Sequence, residues 1–176
     1  ELAAVLTAMG AHIEGAGTDT ITIEGVASLK PVTHSVMPDR IEAGTYLLAG
    51  ALTGGTVEVG PCIPAHLGAL LQKIEEAGIK IDVAADTITV KGENSIRPLN
   101  ITTQPYPGFA TDMQAQFMVL LCLAEGASLI TETIFENRFI HVAELQRMGA
   151  NIEIKGNTAI VHGVKELTGA SVMASD

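Results

Sequence analysis

The sequence predicts an α+β fold assembled from a repeated unit of about 70 residues, ordered strand–helix–strand–helix–strand–strand. Three observations lead there. One pattern occurs three times, over residues 2–26, 67–92 and 142–164, anchored by Gly10, Gly78 and Gly149 at spacings of 68 and 71 residues. Each copy closes on a further glycine, Gly25, Gly92 or Gly163, 14 or 15 residues after its anchor. The stretch 112–125 is apolar nearly all round, and a helix without a polar face has to be buried.

The second copy shows how each is built. Leu67, Leu70, Leu71 and Ile74 fall at helical spacing, and Gly78 stands where a left-handed residue would end the helix. Residues 79–83 and 87–90 then alternate with period two on either side of Ala84–Asp86, which reads as a hairpin. Upstream of the second and third copies lie a helix and a strand: helices at 40–52 and 112–125, strands at 56–59 and 128–133. The glycines between them, Gly55 and Gly126, are again 71 residues apart. Each unit should therefore wrap its sheet around an inner helix.

The composition narrows the functions open to such a fold. The chain of 176 residues carries 10 Lys+Arg against 20 Asp+Glu, a net charge of −10. A nucleic-acid surface needs clustered cations, so no nucleic-acid partner is expected. Hydrophobic residues make up 47% of the chain but aromatics only 3%, with no Trp, so the core is aliphatic and base-stacking platforms are not expected. The longest strongly apolar run, 117–124, is too short for a bilayer span, and no membrane partner is expected. The chain opens on Glu1-Leu2-Ala3 without a basic leader, so the expected compartment is the cytoplasm. The missing initiator Met points to part of a longer polypeptide.

No P-loop, GxGxxG or GxSxG motif occurs. The five histidines show no metal-ligand spacing, so neither metal nor cofactor is expected. Cys62 lies in a Gly-Pro-rich turn and Cys122 within the apolar helix; neither has a base beside it in sequence, and both read as inert. Two loops stand out. Residues 103–114 leave a strand, pass Pro105, Pro107 and Gly108, and enter the apolar helix, with Thr111 and Gln114 spaced as a capping box. Asp112 there either caps the helix or faces a ligand. The matching turn before Arg40 carries Asp39, and this symmetry favours capping for both. In 134–139, Arg138 is the only Lys or Arg between Arg97 and Arg147 and lies between Phe135 and Phe139. It reads as a local ion pair, or as a guanidinium set to grip a carboxylate or phosphate.

The phrases MPDRIEAGTYLLAGALTGG (37–55), PYPGFATDMQAQFM (105–118) and TETIFENRFIHVAELQRMGA (131–150) resemble the enolpyruvyl transferase family, over essentially the whole chain. The resemblance implies two domains of three βαβαββ units each, an inside-out α/β barrel. Residues 1–27 would end a unit of the first domain, 28–97 and 98–167 would be the first two units of the second, and 168–176 would begin the next segment. It implies transfer of the enolpyruvyl group of phosphoenolpyruvate to the 3-hydroxyl of UDP-N-acetylglucosamine, with release of phosphate, early in peptidoglycan synthesis. The shikimate branch of the family, or a non-catalytic module of the same fold, is the alternative; TDMQAQ and FENRF fit the sugar-nucleotide branch better. By the same resemblance Asp112 contacts the sugar hydroxyl as a candidate base, Ile134 makes a main-chain contact to the nucleotide sugar, and Arg138 holds the phosphoenolpyruvate end. It further implies that Asp176 matches an aspartate near the reacting centre and Asp39 one at the domain junction. The family's catalytic Cys loop, its Lys-Asn pair and several arginines have no counterpart in these 176 residues. The chain is thus expected to need the remainder of its polypeptide and to be inactive alone.

Overall fold

The computed structural model describes residues 1–93 and 95–174. Its contacts separate two compact units, Glu1–Met37 and a larger one from Pro38 onward. In the first, helix α1 (Leu2–Ala8) runs through Gly10, at φ +104°, into the antiparallel pair β1 (His12–Glu14) and β2 (Thr22–Glu24), with Ile13 opposite Ile23.

The larger unit contains two variations on one theme. The first comprises α2 (Arg40–Leu52), β3 (Thr56–Val59), α3 (Gly68–Glu76), β4 (Lys80–Val83) and β5 (Ile88–Lys91). The second comprises β6 (Asn100–Thr102), α4 (Gln114–Leu121), β7 (Ala127–Thr131), α5 (Val142–Arg147), β8 (Asn151–Lys155) and β9 (Thr158–His162). Three strands pair in the order β3-β5-β4, all antiparallel. Four pair in the order β6-β7-β9-β8, with β6 parallel to β7 and the other pairings antiparallel. The repeat extends to single hydrogen bonds. Gly92 N–H donates to Gly55 O and Gly163 N–H to Gly126 O, each at 2.8 Å. Lys30, Arg97 and Thr168 each send a main-chain N–H back to the residue ending the preceding helix, Met9, Ala77 or Met148.

The anchoring glycines do what their spacing predicts: Gly10, Gly78 and Gly149 have φ of +104°, +90° and +95°, a region costly for a residue with a Cβ. The closing glycines of the larger unit answer to crowding. A Cβ on Gly163 would run into the carbonyl of Ala124, and one on Gly92 into Gly54.

Three expectations need correction. The unit pattern calls for a strand before Arg40, but none forms. In that stretch Lys30 N–H is taken by Met9, and Met37 N–H by the Glu1 carboxylate. The apolar helix is shorter than 112–125: a 3-10 turn (Thr111–Met113) precedes α4, and the chain leaves the helix after Leu121, where Cys122 O accepts Val164 N–H at 2.7 Å. The capping box also fails, because Thr111 and Gln114 spend their side chains elsewhere, as described below. The burial of this segment is as the sequence requires: no residue from Met113 to Ala124 is exposed, and Phe117 and Leu121 are fully buried. Against it packs α2, where Gly44 lets Met113 and Leu70 approach and Gln116 Nε2 donates to Thr45 Oγ1 at 3.1 Å. No helix among the described residues is long and apolar enough to cross a membrane.

Candidate functional site

Two loops at one end of the four-stranded sheet form the site. The first, from Thr103 to the start of α4, closes on itself: Gln104 N–H donates to Phe109 O and Gly108 N–H to Pro105 O. Phe109 is buried with its ring edge-on to Phe117, centroids 5.6 Å apart, which ties the loop to the core. The second loop continues β7 through Glu132 to Phe139.

Glu132 joins them. Its carboxylate is buried, with 3% of the residue exposed, and accepts from five donors. Oε1 takes Thr103 Oγ1 at 2.7 Å and the N–H groups of Ile134 and Phe135 at 2.8 and 3.2 Å. Oε2 takes Thr111 Oγ1 at 2.8 Å and Gln114 Nε2 at 2.9 Å. Burial alone would push this carboxyl up; the hydrogen bonds from Thr103, Ile134, Thr111 and Phe135 outweigh it and hold the group below the usual glutamate range. The side chains that a capping box would have turned toward main-chain N–H groups of their own turn donate instead to a group 18 to 21 residues further on. Its position follows from strand alternation: Ser128, Ile130 and Glu132 all point inward, the last just past the end of β7. An acidic residue at an inward register position is the signal that the sequence carries for it.

Asp112 and Arg138 meet at the surface where these loops converge. Arg138 Nη2 donates to Asp112 Oδ1 at 3.0 Å, and the guanidinium lies 5.5 Å from the centroid of Phe135. The pair is therefore not local in sequence, and Asp112 caps nothing. Asp39 does cap: its Oδ1 accepts Ile41 and Glu42 N–H at 2.7 and 3.3 Å. The Asp112 and Arg138 side chains are 55% and 38% exposed, so their attraction contributes only about 0–1 kcal/mol. Each charge-assisted bond to buried Glu132 is worth about 1.5–3 kcal/mol. The loops are thus held by Glu132, not by the pair.

Beside the pair opens a cleft of about 790 Å³, lined by Ile134, Phe135, Asn137, Arg138, Ile154 and Asn157 among others. Asn137 takes φ +55°, a conformation that Asn tolerates better than most residues, at the tip of the turn carrying Arg138. His141 stands at the N-cap of α5; burial first, then the Arg138 charge, pushes its imidazole down from its ordinary value. Among the described residues no group of three or more His, Cys, Asp or Glu is placed to hold a metal ion. Cys62 and Cys122 are buried, and burial pushes the Cys122 thiol up to about 11. Of the residues singled out by sequence, the structure brings Asp112, Ile134 and Arg138 to this end of the sheet. Asp176 lies outside the described residues.

A family model described as EPSP synthase (3-phosphoshikimate 1-carboxyvinyltransferase) matches residues 1–176. The chain belongs to the EPSP synthase family. Relatives within it include the UDP-N-acetylglucosamine 1-carboxyvinyltransferases of Geotalea daltonii, 58% identical over 176 residues, and of Acidobacterium capsulatum, 56% identical over 177. Each alignment covers 100% of this chain but only 42% and 41% of the relative, so the chain spans about two fifths of their length. The crystal structure of the enolpyruvyl transferase NikO from Streptomyces tendae superposes with a TM-score of 0.82 at 30% identity, over 92% of this chain and 39% of that one. EPSP synthase from Acinetobacter baumannii, at 17% identity and a TM-score of 0.57, covers 93% of this chain and 38% of its own, and shares the fold. The enolpyruvyl transferase fold expected from the sequence is confirmed, and this chain is a portion of an enzyme family.

Proposed function

We propose that the complete polypeptide transfers the enolpyruvyl group of phosphoenolpyruvate to the 3-hydroxyl of UDP-N-acetylglucosamine, in the cytoplasm, as the first committed step of peptidoglycan precursor synthesis. The observation that carries this is identity of 56–59% over the whole chain with relatives named for that reaction. The Asp112–Arg138 pair beside the cleft is chemically suited to it.

In the transfer, the sugar oxygen bonds to C2 of phosphoenolpyruvate, the C2–O bond to phosphorus's oxygen breaks, and the hydroxyl proton leaves with inorganic phosphate. Asp112, exposed at the loop junction, is the candidate to accept that proton. Arg138 offers a planar fork of donors for the carboxylate or phosphate of the donor substrate. In the ligand-free chain it holds Asp112; an incoming anion would draw it away and leave the carboxylate free to meet the hydroxyl. Because Ile134 N–H is engaged by Glu132, a main-chain contact from Ile134 to the nucleotide sugar falls to its carbonyl oxygen. By the family resemblance, Asp176 is proposed to serve near the reacting centre.

In this reading residues 1–27 end a unit of one domain, 28–97 and 98–167 are two units of the other, and 168–176 begin the next segment. The remaining catalytic groups come from the rest of the polypeptide, so the 176-residue chain alone does not turn over. Incubating it with both substrates tests that point: no phosphate should appear, and phosphate release above the uncatalysed rate would overturn it.

A further inference from the structure

We propose that Glu132 is a positioning residue for the reaction, its buried carboxylate setting the loop that carries Asp112 against the loop that carries Arg138. The inference rests on the enolpyruvyl-transfer reading of this site. Thr111, which donates to Oε2, immediately precedes Asp112, and Gln114 follows two residues later. Ile134 and Phe135, whose N–H groups donate to Oε1, begin the turn that ends in Arg138. Thr103 adds a third attachment at the end of β6, where its own hydroxyl also accepts Thr133 N–H at 2.9 Å. One carboxylate thus takes donors on both sides of the gap that Asp112 and Arg138 span at 3.0 Å. The half-exposed pair is too weak to define that gap itself, whereas hydrogen bonds to a buried anion are strong and directional.

Two substitutions separate the parts of this role. Glu132→Gln keeps the shape but removes the charge, and sets an amide N–H2 against the Gln114 donor. Glu132→Asp keeps the charge but draws it back by one methylene. In the complete polypeptide, Glu132→Gln should lower kcat for phosphate release about tenfold or more, with a smaller change in KM, because misplaced groups lose transition-state contacts first. Glu132→Asp should fall between it and the parent. In an Arg138→Ala background the same Glu132→Gln change should cost less than about threefold, since the pair it positions is already gone. A purely structural role would instead reduce kcat by one factor in both backgrounds, through a smaller folded fraction.

Amide hydrogen exchange of residues 132–138, read on the same proteins, does not depend on turnover. Faster exchange there in Glu132→Gln, with the rest of the chain unchanged, is expected. Equal factors in both backgrounds, or unchanged exchange at 132–138, would overturn the proposal. Should the parent release no phosphate with UDP-N-acetylglucosamine or with shikimate 3-phosphate as acceptor, the functional reading falls, and the exchange result still decides whether Glu132 anchors the two loops.

Discussion

Arg138 Nη2 donates to Asp112 Oδ1 at 3.0 Å, joining two loops whose contributing residues lie 26 positions apart. Both side chains are substantially exposed. Such a pair contributes little to stability but sets a carboxylate beside a guanidinium, and under the proposed function the two effects separate experimentally. In the complete polypeptide, Asp112→Asn and Arg138→Ala should each lower phosphate release about a hundredfold or more. Thermal melting should move by no more than about 2–4 °C. Steady-state kinetics beside a melting curve checks both halves.

The depressed titration of Glu132 gives a pH prediction. Its folded value lies below the ordinary one, so its stabilisation is complete above the ordinary glutamate value of about 4.3. It is lost as pH falls through the folded value, where the native state also takes up the proton. The stability difference between the parent and Glu132→Gln should therefore be constant above about pH 5 and shrink below it. Urea unfolding of both proteins across that range measures it; a difference that grew on acidification would contradict the assignment.

Two glycines predict unequal costs. Gly149 has φ +95° but open space around it, the nearest atom to a built Cβ being Thr168 Oγ1 at 3.9 Å. Gly149→Ala should cost about 1–3 kcal/mol, from backbone strain alone. At Gly163 the added methyl would collide with the Ala124 carbonyl while the N–H must still reach Gly126 O. Gly163→Ala should cost more than Gly149→Ala or prevent folding, and denaturation curves of the two variants rank them.

The thiols should be silent. Cys122 is fully buried and its thiol is pushed up to about 11, while burial and then Asp86 raise Cys62. Alkylation at about pH 8, followed site by site by mass spectrometry, should modify neither until the protein unfolds. Labelling of Cys122 in the native protein at the rate of a free thiol would contradict its placement.

Local and periodic features were legible in the sequence. Helix α2 and strand β3 have the expected bounds, both hairpins of the larger unit form, and the anchoring glycines take the left-handed conformation that their spacing implied. What the sequence concealed was contact over distance. Thr111 and Gln114 have the spacing of a capping box, but whether they cap depends on a carboxylate 18 to 21 residues later that takes both side chains as donors. Asp112 and Arg138 were each singled out, yet nothing in their separation showed that they touch. The symmetry that gives one role to Asp39 and Asp112 holds for the first alone, because Asp39 stands at the N-cap of its helix whereas Asp112 lies inside the 3-10 turn.

The most direct test is phosphate release from phosphoenolpyruvate by the complete polypeptide, with UDP-N-acetylglucosamine or shikimate 3-phosphate as acceptor. Release with the UDP-sugar and none with shikimate 3-phosphate is the predicted result. Release with shikimate 3-phosphate alone would move the protein to the other branch of its family, and release with neither would contradict enolpyruvyl transfer altogether.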